Sequence, residues 1–160
     1  MNESITSDVL TPIEELRKFV ELPAVGDAVA AAHAAGTKQL RDDSASDAAV
    51  VPLAESKLKV KFPSFIGTVR VAVIRAGADS GVERHNNSSQ YLYSYTGIGE
   101  THVRTQKDWR TDQYGEGSDL KSRWHFVAPN TWHKSVAAPS NNWTLVAFHT
   151  ARNVNDEFIE

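Results

Sequence analysis

The residues best suited to chemistry lie between positions 77 and 97. Glu83 and His85 are two apart. On a β-strand, residues two apart point to one face, so a carboxylate and an imidazole would project together. A short polar turn over 86–89 follows, and Gln90 opens the next run. There Gln90, Leu92, Ser94 and Thr96 share one face, and Tyr91, Tyr93 and Tyr95 share the other. With Gln90 turned inward, a carboxylate, an imidazole and an amide converge inside the fold. Such groups are costly to bury unpaired. A metal ion, a ligand or a water network would supply the partner.

Other chemistries are excluded. The chain has no cysteine, which removes disulfides, thiolate nucleophiles, Cys-ligated zinc and iron–sulfur clusters. Gly97-Ile98-Gly99-Glu100 reads as a hairpin turn that opens no helix, so it is no phosphate-binding loop. No strained nucleophile elbow accompanies the serines. Lys and Arg total 17 against 20 Asp and Glu, a net charge of −3 with no dense basic patch. That balance argues against nucleic acid as a partner.

The elements that must position these residues follow from the rest of the sequence. The chain has 160 residues, 41% hydrophobic and 23% charged, which suits one globular domain and is too apolar for disorder. After a loose tail over 1–10, Thr11, Pro12 and Glu14 give a helix start with capping-box spacing. Ile13, Leu16, Phe19 and Val20 follow at helical spacing, and Leu22-Pro23 ends the helix. A second, alanine-rich helix is expected over 27–35, closed by Gly36 and carrying His33 on its surface. Residues 41–56 read as a connecting loop.

Beyond that loop the character becomes β. Leu58, Val60 and Phe62 alternate with lysines, and Val69, Val71 and Val73 alternate with Thr68, Arg70 and Ala72. Further runs cover 91–96, 101–105, 124–128 and 144–150, separated by turn residues. No helical crossovers intervene, which favours antiparallel pairing. The expected fold class is mainly β. A helical extension over 1–40 would pack on one β-barrel over 41–160. The polar, acidic residues 1–9 lack the features of a secretory signal. The stretch 28–35 is too short for about 30 Å of hydrocarbon. A soluble, cytoplasmic protein is expected, with no membrane partner.

On these residues the sequence resembles the cupin superfamily over roughly 57–150. The first cupin motif is Gly, five residues, His-x-His, three or four residues, Glu, six residues, Gly. Gly77 and Gly97 stand at its two ends, Glu83 and His85 at the paired histidine positions and Gln90 at the glutamate position. Of those three, only His85 has the usual identity. A frame pairing His85 with Asn87 fits the terminal glycine less well. The second motif ends in Pro-x-Gly-x-x-His, and residues 126–133 look like it. Asn130 replaces the turn glycine, as a residue that tolerates positive φ. Pro129 comes one place late, His133 matches the histidine, and Ala137 stands where an Asn is usual.

The resemblance implies a small jelly-roll barrel with a buried pocket and one divalent transition metal such as iron, manganese, nickel, copper or zinc. It implies oxygenase, isomerase or lyase chemistry, though some cupins have lost the metal. Carried over residue by residue, the ligands are Glu83, His85, Gln90 and His133, with Glu83, His85 and His133 as the catalytic groups. Gln90 offers only a neutral amide oxygen, a weaker ligand, and is alternatively a substrate contact. Two imidazoles and one carboxylate suffice for a divalent ion with open positions. Protonating either imidazole would release it.

Three readings therefore stand. The first is a metal-dependent enzyme acting on a small-molecule substrate. The second is a metal-free isomerase, dehydratase or cyclase using Glu83 with His85 or His133 as acid and base. The third is a non-catalytic small-molecule-binding barrel. A homodimer is what the family implies. His125 and His149 lie on strands whose inner face is not specified, and His102 is expected at the surface. Tyr91, Tyr93 and Tyr95 suit packing or a dimer face. Trp132 is placed at the pocket wall, and residues 106–121 as a solvated hairpin loop or a lid.

Overall fold

The structure is a computed structural model that describes residues 2–159. Two helices open it, α1 (Leu10–Val20) and α2 (Pro23–Asp42). Then come β1 (Ala48–Pro52), β2 (Thr68–Ile74), β3 (Glu83–His85), β4 (Gln90–Thr96), β5 (Gly99–Arg104) and β6 (Trp109–Tyr114). A single helical turn, α3 (Leu120–Arg123), leads to β7 (Trp124–Val127), β8 (His133–Ala137), β9 (Trp143–His149) and β10 (Asp156–Phe158). The strands form two five-stranded sheets, ordered β1-β2-β9-β4-β7 and β10-β3-β8-β5-β6. Every pairing between named strands is antiparallel. The mainly β class expected from the alternating runs is what the chain adopts.

The first sheet buries apolar side chains on both faces, for two different reasons. Val69 and Val71 of β2, Val146 and Phe148 of β9, Tyr91 of β4 and Trp124 of β7 turn outward. They pack under Ile13, Leu16, Phe19, Val25, Val29 and Ala32 of the helices. The inward face carries Ile74, Leu92, Leu145 and Ala147. Every residue of β9 is consequently buried. The tyrosine stripe of β4 belongs to the outward face: Tyr91, Tyr93 and Tyr95 all pack into the cluster beneath the helices.

Several local expectations are corrected. No side chain caps α1, whose N-cap is Val9 rather than Thr11. Pro23 does not merely stop the first helix. Its fixed φ and missing N–H suit the first turn of α2, which it opens. That helix runs straight through Gly36 to Asp42. Gly36 is a packing glycine, because a Cβ there would lie 2.7 Å from Val73 Cγ2. The expected loop over 41–56 contains β1, which hydrogen-bonds along β2 with Ala49 against Val73. Leu58, Val60 and Phe62 form no strand; they lie against the helix-covered core, with the Phe62 ring 6.3 Å from that of Phe19. Residues 106–121 are not a simple solvated loop, since they contain β6 with a fully buried Asp112. Asn130 has a φ of 59°, the left-handed turn expected of it. Among the described residues no helix is long and apolar enough to cross a membrane.

Candidate functional site

β3 is only three residues long, and it lies between two partners. Glu83 is in register with His133 of β8, and His85 with Asp156 of β10. The pleat sends Glu83 and His85 to one face, as their spacing predicts. Glu83 Oε1 lies 3.6 Å from His85 Nε2 and 3.6 Å from His133 Nε2. That is too long for a hydrogen bond. Two donors bound to one ion at about 2.0–2.2 Å sit roughly 3–3.5 Å apart, so the gap is close to what a shared cation requires. One ligand atom from each of the three residues lies within 4.8 Å of the others.

The outer partners aim the two rings. His133 Nδ1 donates to the Thr131 carbonyl at 2.9 Å, since a carbonyl can only accept. In the neutral ring this leaves Nε2 as a bare lone pair directed at Glu83. Asp156 Oδ1 approaches His85 Nδ1 to 2.8 Å, close but off the line of a hydrogen bond. Arg70 holds that carboxylate at 3.0 and 3.1 Å. A carboxylate behind a ligating histidine orients the ring and raises its basicity. Nothing in the sequence around Asp156 signals this role.

Gln90 and His149 complete the same region. They are register partners on β4 and β9, both turned inward. Gln90 Oε1 and His149 Nδ1 are buried without a hydrogen-bond partner, as are the Nε2 atoms of His85 and His133. The His149 ring meets that of His85 edge-on with centroids 4.8 Å apart. Glu83, Gln90, His133 and His149 line one cavity of about 360 Å³. So many orphaned polar atoms around one space is unusual in a folded interior. His149 is one of the two histidines, with His125, whose orientation sequence reasoning left open.

The charges follow from these contacts. Burial by itself would raise the Glu83 carboxyl, but the His133 and His85 rings outweigh it and hold it down at about 2. Glu83 is therefore an anion at neutral pH. Burial, reinforced by repulsion from His85 and Arg70, pushes His149 down to about 3 and keeps it neutral.

The remaining candidates fall elsewhere. His125 faces inward but is taken up by Asp112, with Nε2 2.9 Å from Oδ2 and Tyr114 stacked over the ring. His102 pairs with Glu100 on β5, and His33 contacts Thr144 Oγ1. Asn87 is exposed and tied to Asn153 and Asn155, outside the site. Trp132 does not line the cavity; Arg84 stacks over its ring at 4.5 Å. A larger cavity of about 600 Å³, bordered by Gly99, Tyr114 and Pro139, holds none of the proposed ligands.

No protein-family model matches the chain, and no curated protein does. Solved structures do. A Bacillus subtilis oxalate decarboxylase superposes with a TM-score of 0.59 at 14% identity, over 72% of this chain and 29% of that one. Pumpkin pro-11S globulin gives 0.56 at 13% identity, over 70% of this chain and 28% of that one. Peruvianin-I of Thevetia peruviana latex, described as a cysteine peptidase, gives 0.57 at 12% identity, over 71% of this chain and 67% of that one. The chain thus spans under a third of the oxalate decarboxylase it matches. At such identities the likeness establishes architecture and nothing finer. The two facing sheets, their strand order and these neighbours together show that this chain has the cupin fold.

Proposed function

We propose that the protein is a metal-dependent enzyme acting on a small molecule, with Glu83, His85 and His133 as the protein ligands of one divalent transition metal. The observation that carries this is the meeting of an ionised carboxylate and two imidazole nitrogens at 3.6 Å with no hydrogen bond between them. Buried ligand atoms that converge on one point with no hydrogen bond among them are completed by a shared cation. When bound, such an ion acts as a Lewis acid toward a substrate oxygen or, if iron, activates dioxygen. Gln90 and His149 face the same space and hydrogen-bond the substrate, with Gln90 available as a fourth, weaker ligand. Arg70 and Asp156 hold His85 in its orientation.

Manganese is a reasonable first choice, because a solved Bacillus subtilis oxalate decarboxylase is described with Mn(II) centres. The donor set of this chain equally suits iron(II). A metal-free role for Glu83 as general base is the weaker reading: a carboxyl held at about 2 accepts protons poorly at neutral pH. The peptidase activity of one structural neighbour is closed to a chain without cysteine.

Elemental analysis of the purified protein tests the proposal. About one equivalent of transition metal is expected. It should be lost to chelators, in His85→Ala and His133→Ala, and on acidification, as protons compete with the ion for the imidazoles. Metal-free protein that takes up no Mn(II) or Fe(II), with both variants unchanged, would overturn it.

A further inference from the structure

The cavity has two unlike ends. Glu83, Gln90, His133 and His149 gather at one. Ala72, Ile74, Leu92 and Leu145 form an aliphatic stretch of wall, broken on the facing sheet by Ser80 and Ser135. Val50 and Phe158 also line it, at 54% and 62% exposure, so they mark where it opens. They lie on β1 and β10, the edge strands of the two sheets. The way in therefore passes between two sheet edges, over apolar side chains.

Charge narrows the occupant further. A divalent ion held by Glu83 and two neutral imidazoles leaves one net positive charge, which a single anionic group balances. A second anionic group too far along the body to share the ion would find no partner. Arg70 is the one Lys or Arg among the lining residues, and Asp156 already holds its guanidinium. Burying an unpaired carboxylate against the aliphatic wall is strongly unfavourable. The space of about 360 Å³ equals roughly a dozen waters at the liquid's ~30 Å³ each. A two-carbon diacid would leave most of it unfilled.

Building on the metal reading above, we infer that the substrate class is an amphipathic monocarboxylic acid. Its carboxylate sits against the Glu83, His85 and His133 cluster, within reach of Gln90 and His149. Its apolar body lies along the β2 and β9 wall toward Val50.

Calorimetric titration of Mn(II)-loaded protein with straight-chain monocarboxylates, from acetate to octanoate, tests this directly. The association constant should rise about two- to fourfold per added methylene until the cavity is full. Adipate, whose second carboxylate would lie against the aliphatic wall, should bind more weakly than hexanoate. Val50→Glu changes an exposed side chain at the opening; it should flatten the rise in affinity with chain length. A flat series, or adipate binding as tightly as hexanoate, overturns the inference. Metal content measured on the same sample, and a parallel series of 1-alkanols on chelated protein, separate the two proposals. A Mn(II)-replete protein with a flat series fails this inference alone. A protein that takes up no metal but shows a rising alkanol series fails the metal reading alone and upholds the apolar lobe.

Discussion

Asp112 and His125 are both fully buried between the sheets, and the protein itself supplies nearly all they need. His125 Nε2 meets one carboxylate oxygen, Arg110 donates to the same carboxylate at 2.8 Å, and the Glu3 amide donates to Oδ1 at 3.0 Å. Burial would raise the Asp112 carboxyl, yet those contacts hold it well below the usual range. Around Glu83 the same residue types are left unfinished. Gln90, His133 and His149 line a cavity with unpartnered polar atoms and His85 beside them leaves both ring nitrogens unpaired, whereas His125 leaves only its Nδ1. A buried histidine–carboxylate pair is therefore not in itself a sign of function. Convergence of unpaired groups on a shared space is the stronger sign.

The contrast can be broken experimentally, most severely at the finished pair. Asp112→Ala strands a buried imidazole and removes the partner of Arg110. It should lower unfolding free energy by about 3–5 kcal/mol in urea melts and leave metal content at one equivalent. The opposite split is expected for His133→Ala. Metal affinity should fall on the order of a hundredfold or more, while chelated protein loses only about 1 kcal/mol, the worth of the Thr131 hydrogen bond. If both variants lose stability alike and neither loses metal, the two clusters are equivalent and the contrast collapses. Asp156→Asn should weaken metal binding by about tenfold without abolishing it, because it loosens the orientation of His85 rather than removing a ligand.

The smallest effect is a pH dependence. His149 has a folded value of about 3 against an ordinary 6.5, so the unfolded chain takes up a proton first as pH falls between them. Stability is then present above about pH 6.5 and is lost progressively toward about pH 3. Between about pH 7 and about pH 5.5 this amounts to about 1 kcal/mol. His149→Gln, melted as chelated protein, should lack that part of the slope.

The sequence made part of the candidate site legible through strand periodicity. Glu83 and His85 share a face because they are two apart, and the even positions of β4 turn inward with Gln90. His133 came from the motif around Asn130. His149 could not be oriented, because β9 is apolar on both sides: helices cover one face and the cavity lies on the other. Alternation carries no direction when neither face meets water. Asp112 resembled loop chemistry in Arg-Thr-Asp-Gln, since its partners His125 and the Glu3 amide are remote in the chain. Gly36 resembled a helix stop because its packing reason lies on a strand more than thirty residues later.

The placement of β9 constrains how the chain can be made. β2 and β4 never pair with each other; each pairs with β9, which lies between them. Until residues 143–149 leave the ribosome, both strands therefore expose an unsatisfied edge and an apolar face. Such nascent segments are vulnerable to misassociation during translation, and closing the sheet requires contacts distant in sequence, which form slowly. The helices are synthesised first, and the outward faces of β2 and β4 are what they cover. They thus offer shelter to the early strands before the central one arrives.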